Sequence, residues 1–521
     1  MSGVLSASVV ADTFTLPTID YGALAPVLIV AAAAVIGVLV EAFAPRGARR
    51  PLQLVLVFGS LIAAFVAVVL HAGIRQLDGG GAVAIDGPGL VLQGAVLLIS
   101  IVGAMLMAER QVDPAGDAFA ARASTLPGSE DERQFSSRGF LQTEIWPLML
   151  FAVTGMLLFP IANDLLLLFV ALEVMSLPLY LLVGMARRRR LLSQEAALKY
   201  FILGSFSSAF FLFGSALLYG YSGSIKFGKI AEAIAGNPGQ NMLILVGVGM
   251  VAVGLLFKIG AAPFHQWTPD VYQGAPTPVT AFMAAAVKVA AFGAILRVFY
   301  VIFGGLRWDW QPMLWVIAIL TMLIGAIVAV TQTDVKRMLA YSSIAQAGFI
   351  LLGVIAANPA GLRGAIFYLV AYAFTTLGTF AVVTLVRDST GEATHLSKWA
   401  GLAKTSPLTA TVFAIFLLSL AGIPLTSGFI GKFAVFTAAI EAGAMPLVIV
   451  ALFASLIAAF VYGRVIVLMF FADPPADPPA VVVPSAFTTL AIAISVAVTV
   501  VLGIIPQPFL TLLEQAGVFI R

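Results

Sequence analysis

Cysteine is absent from all 521 residues. That absence excludes disulfides, iron-sulfur ligation, thiolate zinc sites and cysteine nucleophiles. Charge is scarce as well: 10% of the residues are Asp, Glu, Lys or Arg, against about 25% in an ordinary soluble domain. No large water-soluble catalytic domain fits in such a chain. The net charge of +3 is spread over loops without a basic run suited to nucleic acid, so no nucleic-acid partner is expected. Met1 to Asp20 holds no Lys or Arg, so it lacks the basic region of a signal peptide and the first apolar run is expected to be retained. Hydrocarbon is what the chain has in quantity, with 61% hydrophobic residues and a mean hydropathy of +1.06. The composition is that of an all-α polytopic membrane protein.

A bilayer core takes about 20 apolar residues per helical crossing. Runs of that kind lie near 22–43, 52–71, 89–108, 145–161, 165–185, 198–221, 242–262, 276–303, 312–331, 338–356, 364–386, 408–438, 444–471 and 484–505, which predicts fourteen transmembrane helices. The 408–438 run is too long for one straight crossing. The runs are continuous rather than alternating, which argues against a membrane barrel. Fourteen crossings place both termini on one side. With that side taken as outside, the inner loops hold sixteen Lys and Arg, including Arg138 and the block Arg187 to Arg190, and the outer loops and tail hold six, including Arg521. The excess of basic residues inside therefore predicts both termini on the non-cytoplasmic side. The polar 109–143 segment reads as a cytoplasmic loop with disordered stretches, and the proline-rich 472–479 segment as an extended linker.

Six basic residues remain in or beside the spans: Lys199, Lys258, Lys288, Arg297, Lys432 and Arg464. Glu173 is the ninth residue of its run. An isolated charge at mid-bilayer costs at least about 2.5–3.5 kcal/mol on insertion scales, so each is a functional candidate. Gly260 and Pro263 follow Lys258, and Gly422, Pro424 and Gly428 precede Lys432, so both spans are expected to break beside a lysine. Paired discontinuous helices are typical of transporters built from repeats. Spans 4–8 and 9–13 form two five-helix sets with the break in the fourth helix of each, and an odd number per set makes the two inverted. The expected division is 1–144 for three helices and the loop, 145–303 and 304–471 for the repeats, and 472–521 for the linker and last helix.

Buried lysine can lose its proton near neutral pH, whereas arginine does so almost never. The row Glu173, Lys199, Lys258, Lys288 and Lys432 therefore suits proton transfer, with His265 as a further relay. Each member also has a plainer reading. Glu173 could be a structural ion-pair partner, Lys199 could snorkel to the interface or pair with Glu195 four residues earlier, and His265 could cap the broken helix. Arg297 and Arg464 read as anchors or structural partners, His71 and His395 as loop residues.

Three stretches carry a family resemblance: Phe257 to Pro278 (FKIGAAPFHQWTPDVYQGAPTP), Asp334 to Gly348 (DVKRMLAYSSIAQAG) and Gly422 to Lys432 (GIPLTSGFIGK). They resemble the antiporter-like membrane subunits, of the N type, of bacterial proton-pumping NADH-quinone oxidoreductase, respiratory complex I. The similarity runs from about 145 to 470. It implies that Glu173 is the family's acid of the fifth helix, Lys199 a lysine of the sixth, Lys258 and Lys432 the lysines of the two broken helices, and Lys288 the connecting lysine of the eighth. A sister subunit of the M type would carry Glu at 432, so Lys432 favours the N type. The 109–143 loop is longer and more polar than the family's usual form.

The resemblance further implies a multi-pass subunit of the bacterial inner membrane, surrounded by lipids and by other membrane subunits of complex I, its antiporter-like sisters among them. It implies no cofactor on this chain, with NADH, FMN, iron-sulfur clusters and quinone on partner subunits. Two other readings stay open from residues alone: a subunit of a multisubunit cation/proton antiporter, and a structural membrane scaffold whose charges only hold helices together.

Overall fold

The computed structural model describes residues 19–113, 116–122, 125–126, 129–137, 141–237 and 242–520. Residues 1–18 of the N-terminal segment, Arg138 and Arg521 of the charge count, and parts of the 109–143 loop lie outside the described residues. Helix underlies every apolar run, and strands are confined to short loop pairings. Among the described residues, eleven helices are long and apolar enough to cross a membrane. One of them is a near-continuous 55-residue stretch, Thr277–Thr331, which covers two of the expected runs. Two shorter apolar helices, Ile145–Leu158 and Pro407–Ala421, accompany them.

The overlong run divides as its length demanded, into Pro407–Ala421 and Ser427–Glu441. The earlier break separates Met242–Ile259 from Trp267–Gly274. Each break turns on a glycine in the left-handed region, Gly260 at φ 73° and Gly422 at φ 85°, where a side chain would be strained. Prolines beyond each glycine withhold the amide that would continue the helix.

Loop contacts gather on two opposite faces. On the arginine-rich face, Arg50 reaches the Ala108 carbonyl, Glu109 takes the Ser485 amide and hydroxyl, Arg189 meets Thr394, and Arg337 meets Asp270. On the other face Asp20 meets Asp78, Arg75 meets the Ala516 carbonyl, and Arg363 pairs with Glu514. Asp20 and Ala516, near the two described ends of the chain, thus share a face.

The described part of the 109–143 loop is tied down rather than disordered. Asp113 holds both Arg188 at 2.7 Å and Arg387 at 2.5 Å, and Asp117 pairs with Arg187 at 2.6 Å. The arginine block supplies the counter-charges, a pairing that loop polarity alone does not reveal. Burial pushes the Asp117 carboxyl up despite the Arg187 guanidinium, and the hydrogen bond that Arg188 donates to Asp113 raises Arg188 further. The linker carries its own tethers, Asp473 to Lys404 and Asp477 to Lys398, before Ala480–Val481 pairs with Val386 and Arg387.

Arg297 forms the deepest ion pair. Its Nη2 donates to both oxygens of Asp86 at 2.8 and 2.9 Å, its Nε donates to the Pro160 carbonyl, and both side chains are fully buried. Asp86 also caps the Gly87–Met107 helix through the Gly89 amide and takes the Ile520 amide, which docks the C-terminal tail. Asp86→Ala leaves a buried guanidinium without its counter-charge, at a cost of about 3–5 kcal/mol. The temperature at which the protein unfolds should fall accordingly, and the apolar pair Asp86→Leu with Arg297→Met should regain most of it. An unchanged transition in Asp86→Ala would show that the pair carries no weight.

Candidate functional site

Lys258 ends the helix before the first break and is buried. Its Nζ donates to Ser176 Oγ at 2.7 Å and to Tyr200 Oη at 3.1 Å, and lies 5.2 Å from the Tyr200 ring centroid, within cation–π range. Trp267 stacks on Tyr200 at 4.7 Å and donates its indole N–H to the Phe257 carbonyl at 2.9 Å. The Phe257 carbonyl at the break thus takes the Gly260 amide and, in addition, a side chain from the far side of the break. Glu173 lies one helical turn before Ser176 on the same helix, Leu165–Val183, a spacing that puts the two on neighbouring positions. Its Oε1 accepts from Ser208 Oγ at 2.5 Å.

Lys199 takes a different place. Its side chain is 44% exposed and bridges Glu195 at 2.7 Å and Asp270 at 2.8 Å, while Asp270 also holds Arg337 at 2.7 Å. The i,i+4 pair with Glu195 forms, and the neighbouring residue Tyr200, rather than Lys199 itself, touches Lys258. His265 is half-buried in the turn of the first break. Its carbonyl accepts from the Thr268 amide, and its Nδ1 has no partner among the described residues.

Lys288 bonds to the helix Val335–Ala356, and Lys432 stands 4.8 Å from the ring of Phe349 on the same helix. The Lys288 amine donates to both the carbonyl and the hydroxyl of Ser343, and Ser343 Oγ lies 2.6 Å from Tyr372 Oη. Lys432 reaches back across the second break to the Leu420 and Ala421 carbonyls at 3.2 and 2.8 Å, and to Ser455 Oγ at 2.9 Å. Gln346 adjoins the Lys432 site: its amide donates to the same Leu420 carbonyl at 2.8 Å, its oxygen accepts from Tyr368, and it contacts Tyr462, which is bonded to Ser342, the residue before Ser343. Among the described residues no hydrogen bond connects this set to the Lys258 set.

The hydroxyls and the amide were missed by a search restricted to charge. The stretch Tyr341-Ser-Ser-Ile-Ala-Gln346 interrupts an otherwise apolar run with four polar side chains, and that interruption was the available signal. Chemically, the arrangement offers amines and a carboxylate bonded to hydroxyls that both donate and accept, which is the equipment for passing protons rather than for fixing a metal or an organic cofactor.

The family described as "NADH:quinone oxidoreductase/Mrp antiporter, TM" matches residues 162–458. NADH-quinone oxidoreductase subunit N of Rhodococcus opacus is 62% identical over 98% of this chain and 98% of its own length. Subunit N 3 of Streptomyces griseus is 59% identical over 100% of this chain and 98% of its own. The chain belongs to the NADH-quinone oxidoreductase subunit N family. Within solved assemblies, a chain of respiratory complex I from Thermus thermophilus superposes with a TM-score of 0.77 at 32% identity, over 94% of this chain and all of that one. A chain of the Mrp complex from Dietzia superposes at 0.79 with 25% identity, covering 96% and 97%. The subunit N family thus shares its fold with Mrp antiporter chains, and sequence identity over the full length separates the two.

Lys432 caps the end of Pro407–Ala421 in this subunit N chain. In Lys432→Met, Leu420 keeps Gln346 while the Ala421 carbonyl loses the Lys432 amine, at about 1–3 kcal/mol for an unmet buried group. Hydrogen exchange of the 418–429 segment should then quicken by roughly five- to a hundredfold, read by mass spectrometry on the intact complex. Unaltered exchange there would sever the cap from the stability of the break.

Proposed function

We propose that this chain is a proton-translocating membrane subunit of NADH-quinone oxidoreductase, moving protons through Glu173, Lys199, Lys258, Lys288 and Lys432, with His265 as a relay at the first break. Electron transfer from NADH to quinone, with FMN and iron-sulfur clusters, belongs on this reading to partner subunits, and sister antiporter-like subunits and lipids adjoin the chain. One observation carries the proposal. Lys258, Lys288 and Lys432 are buried amines held by hydroxyls and carbonyls, with no carboxylate in ion-pair reach among the described residues. Helix glue in this same molecule looks different: Arg297 has its carboxylate at 2.8 Å. An amine bonded to hydroxyls can hand a proton along them, and the charge it gains or loses is felt by the next amine through the low-dielectric interior. The cation/proton antiporter reading accounts for the shared fold but not for relatives named subunit N at about 60% identity along the whole chain.

The proposal includes fourteen crossings in two inverted five-helix repeats, 145–303 and 304–471, flanked by 1–144 and 472–521. Length supports it: Thr277–Thr331 has 55 residues, about 80 Å of helix, against a hydrocarbon core of about 30 Å. Two crossings joined at the tight turn Phe303–Leu306 account for that. Repetition supports it too. Phe227 donates to the Asn163 carbonyl and Leu165 to that of Ile225; Leu396 donates to the Thr333 carbonyl and Val335 to that of Thr394. The same pairing recurs 170 residues on (Leu165 to Val335), ahead of helices capped by Asp164 and Asp334, on opposite faces. The arginine-rich face is then cytoplasmic, and both termini lie on the other side.

Lys258→Met and Glu173→Ala should assemble yet pump at least about tenfold more slowly, the effect of some 1.4 kcal/mol on the transfer barrier. Vesicle acidification driven by NADH in reconstituted complex measures it, and full pumping by both variants removes the row from the mechanism. Topology is tested separately. A periplasm-dependent phosphatase fused after residue 516 should be active and one inserted in the 472–479 linker inactive; the reverse pattern inverts the assignment.

A further inference from the structure

Arg464 has a place that proton transfer does not use. It lies in the Met445–Phe471 helix, seven residues or about 10 Å from the end at the arginine-rich face. Phe460, Arg464, Val467 and Phe471 recur at helical spacing and form one exposed stripe. This stripe is exposed on a helix long and apolar enough to cross a membrane, and a cation stands in it. Nη1 and Nη2 donate to the Val330 and Gln332 carbonyls at 2.9 and 3.2 Å, which cap the Arg307–Thr331 helix. Of the five N–H groups of a guanidinium, three remain without an acceptor among the described residues. Nearby cations on the same edge are matched: Lys398 by Asp477 and Lys404 by Asp473. Arg464 has no such acid among the described residues. Beside it opens a groove of about 640 Å³ between the two helices, apolar along Val465, Leu468 and Phe471 and polar where His395 and Ser397 close its upper edge.

A groove with a lipid-facing apolar wall, a polar rim and an unmatched guanidinium near headgroup depth has the chemistry of a phosphodiester with acyl chains. We propose that this groove is a binding site for one anionic glycerophospholipid, its phosphate on Arg464 and its chains along Val467 and Phe471. Basic pockets between helices at the cytoplasmic face recognise acidic headgroups in this way, and Arg suits phosphate better than Lys because its fork is bidentate. The site is independent of the proton row, so its loss leaves that reading intact.

The test uses the intact complex in nanodiscs of phosphatidylcholine containing a small fraction of photoactivatable phosphatidylglycerol, with cross-linked peptides mapped by mass spectrometry. Labelling is expected within 331–333 and 464–472, competed by unlabelled phosphatidylglycerol and not by phosphatidylcholine. It should drop about fivefold in Arg464→Gln, the factor for one basic charge at a membrane surface, and less in Arg464→Lys. Normal NADH oxidation by Arg464→Gln would certify an assembled complex. Equal labelling by a photoactivatable phosphatidylcholine, labelling unaffected by Arg464→Gln, or no labelling because a neighbouring subunit fills the groove would each overturn the proposal.

Discussion

Hydrocarbon offers nothing to a hydrogen-bond donor, an acceptor or a charge, so each polar group inside the slab must be met by the protein itself. The interior chemistry of this chain follows from that constraint. Arg297 meets it by closing on Asp86 and the Pro160 carbonyl. The first break meets it with the Trp267 indole on the Phe257 carbonyl, and the second with the Lys432 amine on the Ala421 carbonyl. Even the unmatched Arg464 spends two N–H groups on the carbonyls of a neighbouring helix end. Mobile protons need polar groups in the interior, and on the proposed reading they use the same groups that hold the broken helices together.

The two breaks solve the problem from opposite sides. Lys258 stands two residues before its left-handed glycine and Lys432 ten residues after its own. Lys258 caps no carbonyl, since the Gly260 amide and the Trp267 indole meet that of Phe257, and turns toward Ser176 and Tyr200. Lys432 is itself the cap, and its three partners use the three donors of an ammonium. Lys258 and Lys288 each have two partners, one donor fewer than a full ammonium complement. The two breaks resemble each other in backbone and differ in what their amines are committed to.

Much of this was legible in advance because it depends on one-dimensional properties. Apolar run length marks helices, Gly422 and Pro424 mark a break, and a lysine in a run such as Ala-Ala-Ala-Val-Lys288 stands out by insertion cost. The Asp113–Arg188–Arg387 and Asp86–Arg297 pairs were not legible, since their members are 75 to 274 residues apart and meet only through helix packing. Lys199 is intermediate: its partner Glu195 follows from helical spacing, while Asp270 comes from the far side of the first break. Ser176, Ser343 and Gln346 escaped because uncharged residues in apolar runs are common, and only the three-dimensional position of an amine distinguishes these.

On the inverted-repeat reading, the 170-residue spacing relates Glu173 to Ser343 and Ser176 to Gln346. The first half thus has a carboxylate and a hydroxyl where the second has a hydroxyl and an amide. A carboxylate can store a proton; a serine passes one without keeping it, and a glutamine amide does neither but fixes the orientation of its neighbours. In the second half storage is left to the amines, and Gln346 sits between them, bonded to the carbonyl that Lys432 also caps and in contact with the Tyr462 hydroxyl. On the proposed reading, protonation of Lys432 would strengthen its hold on that shared carbonyl, which Gln346 also meets. On that reading the two halves are similar in fold and unequal in chemistry.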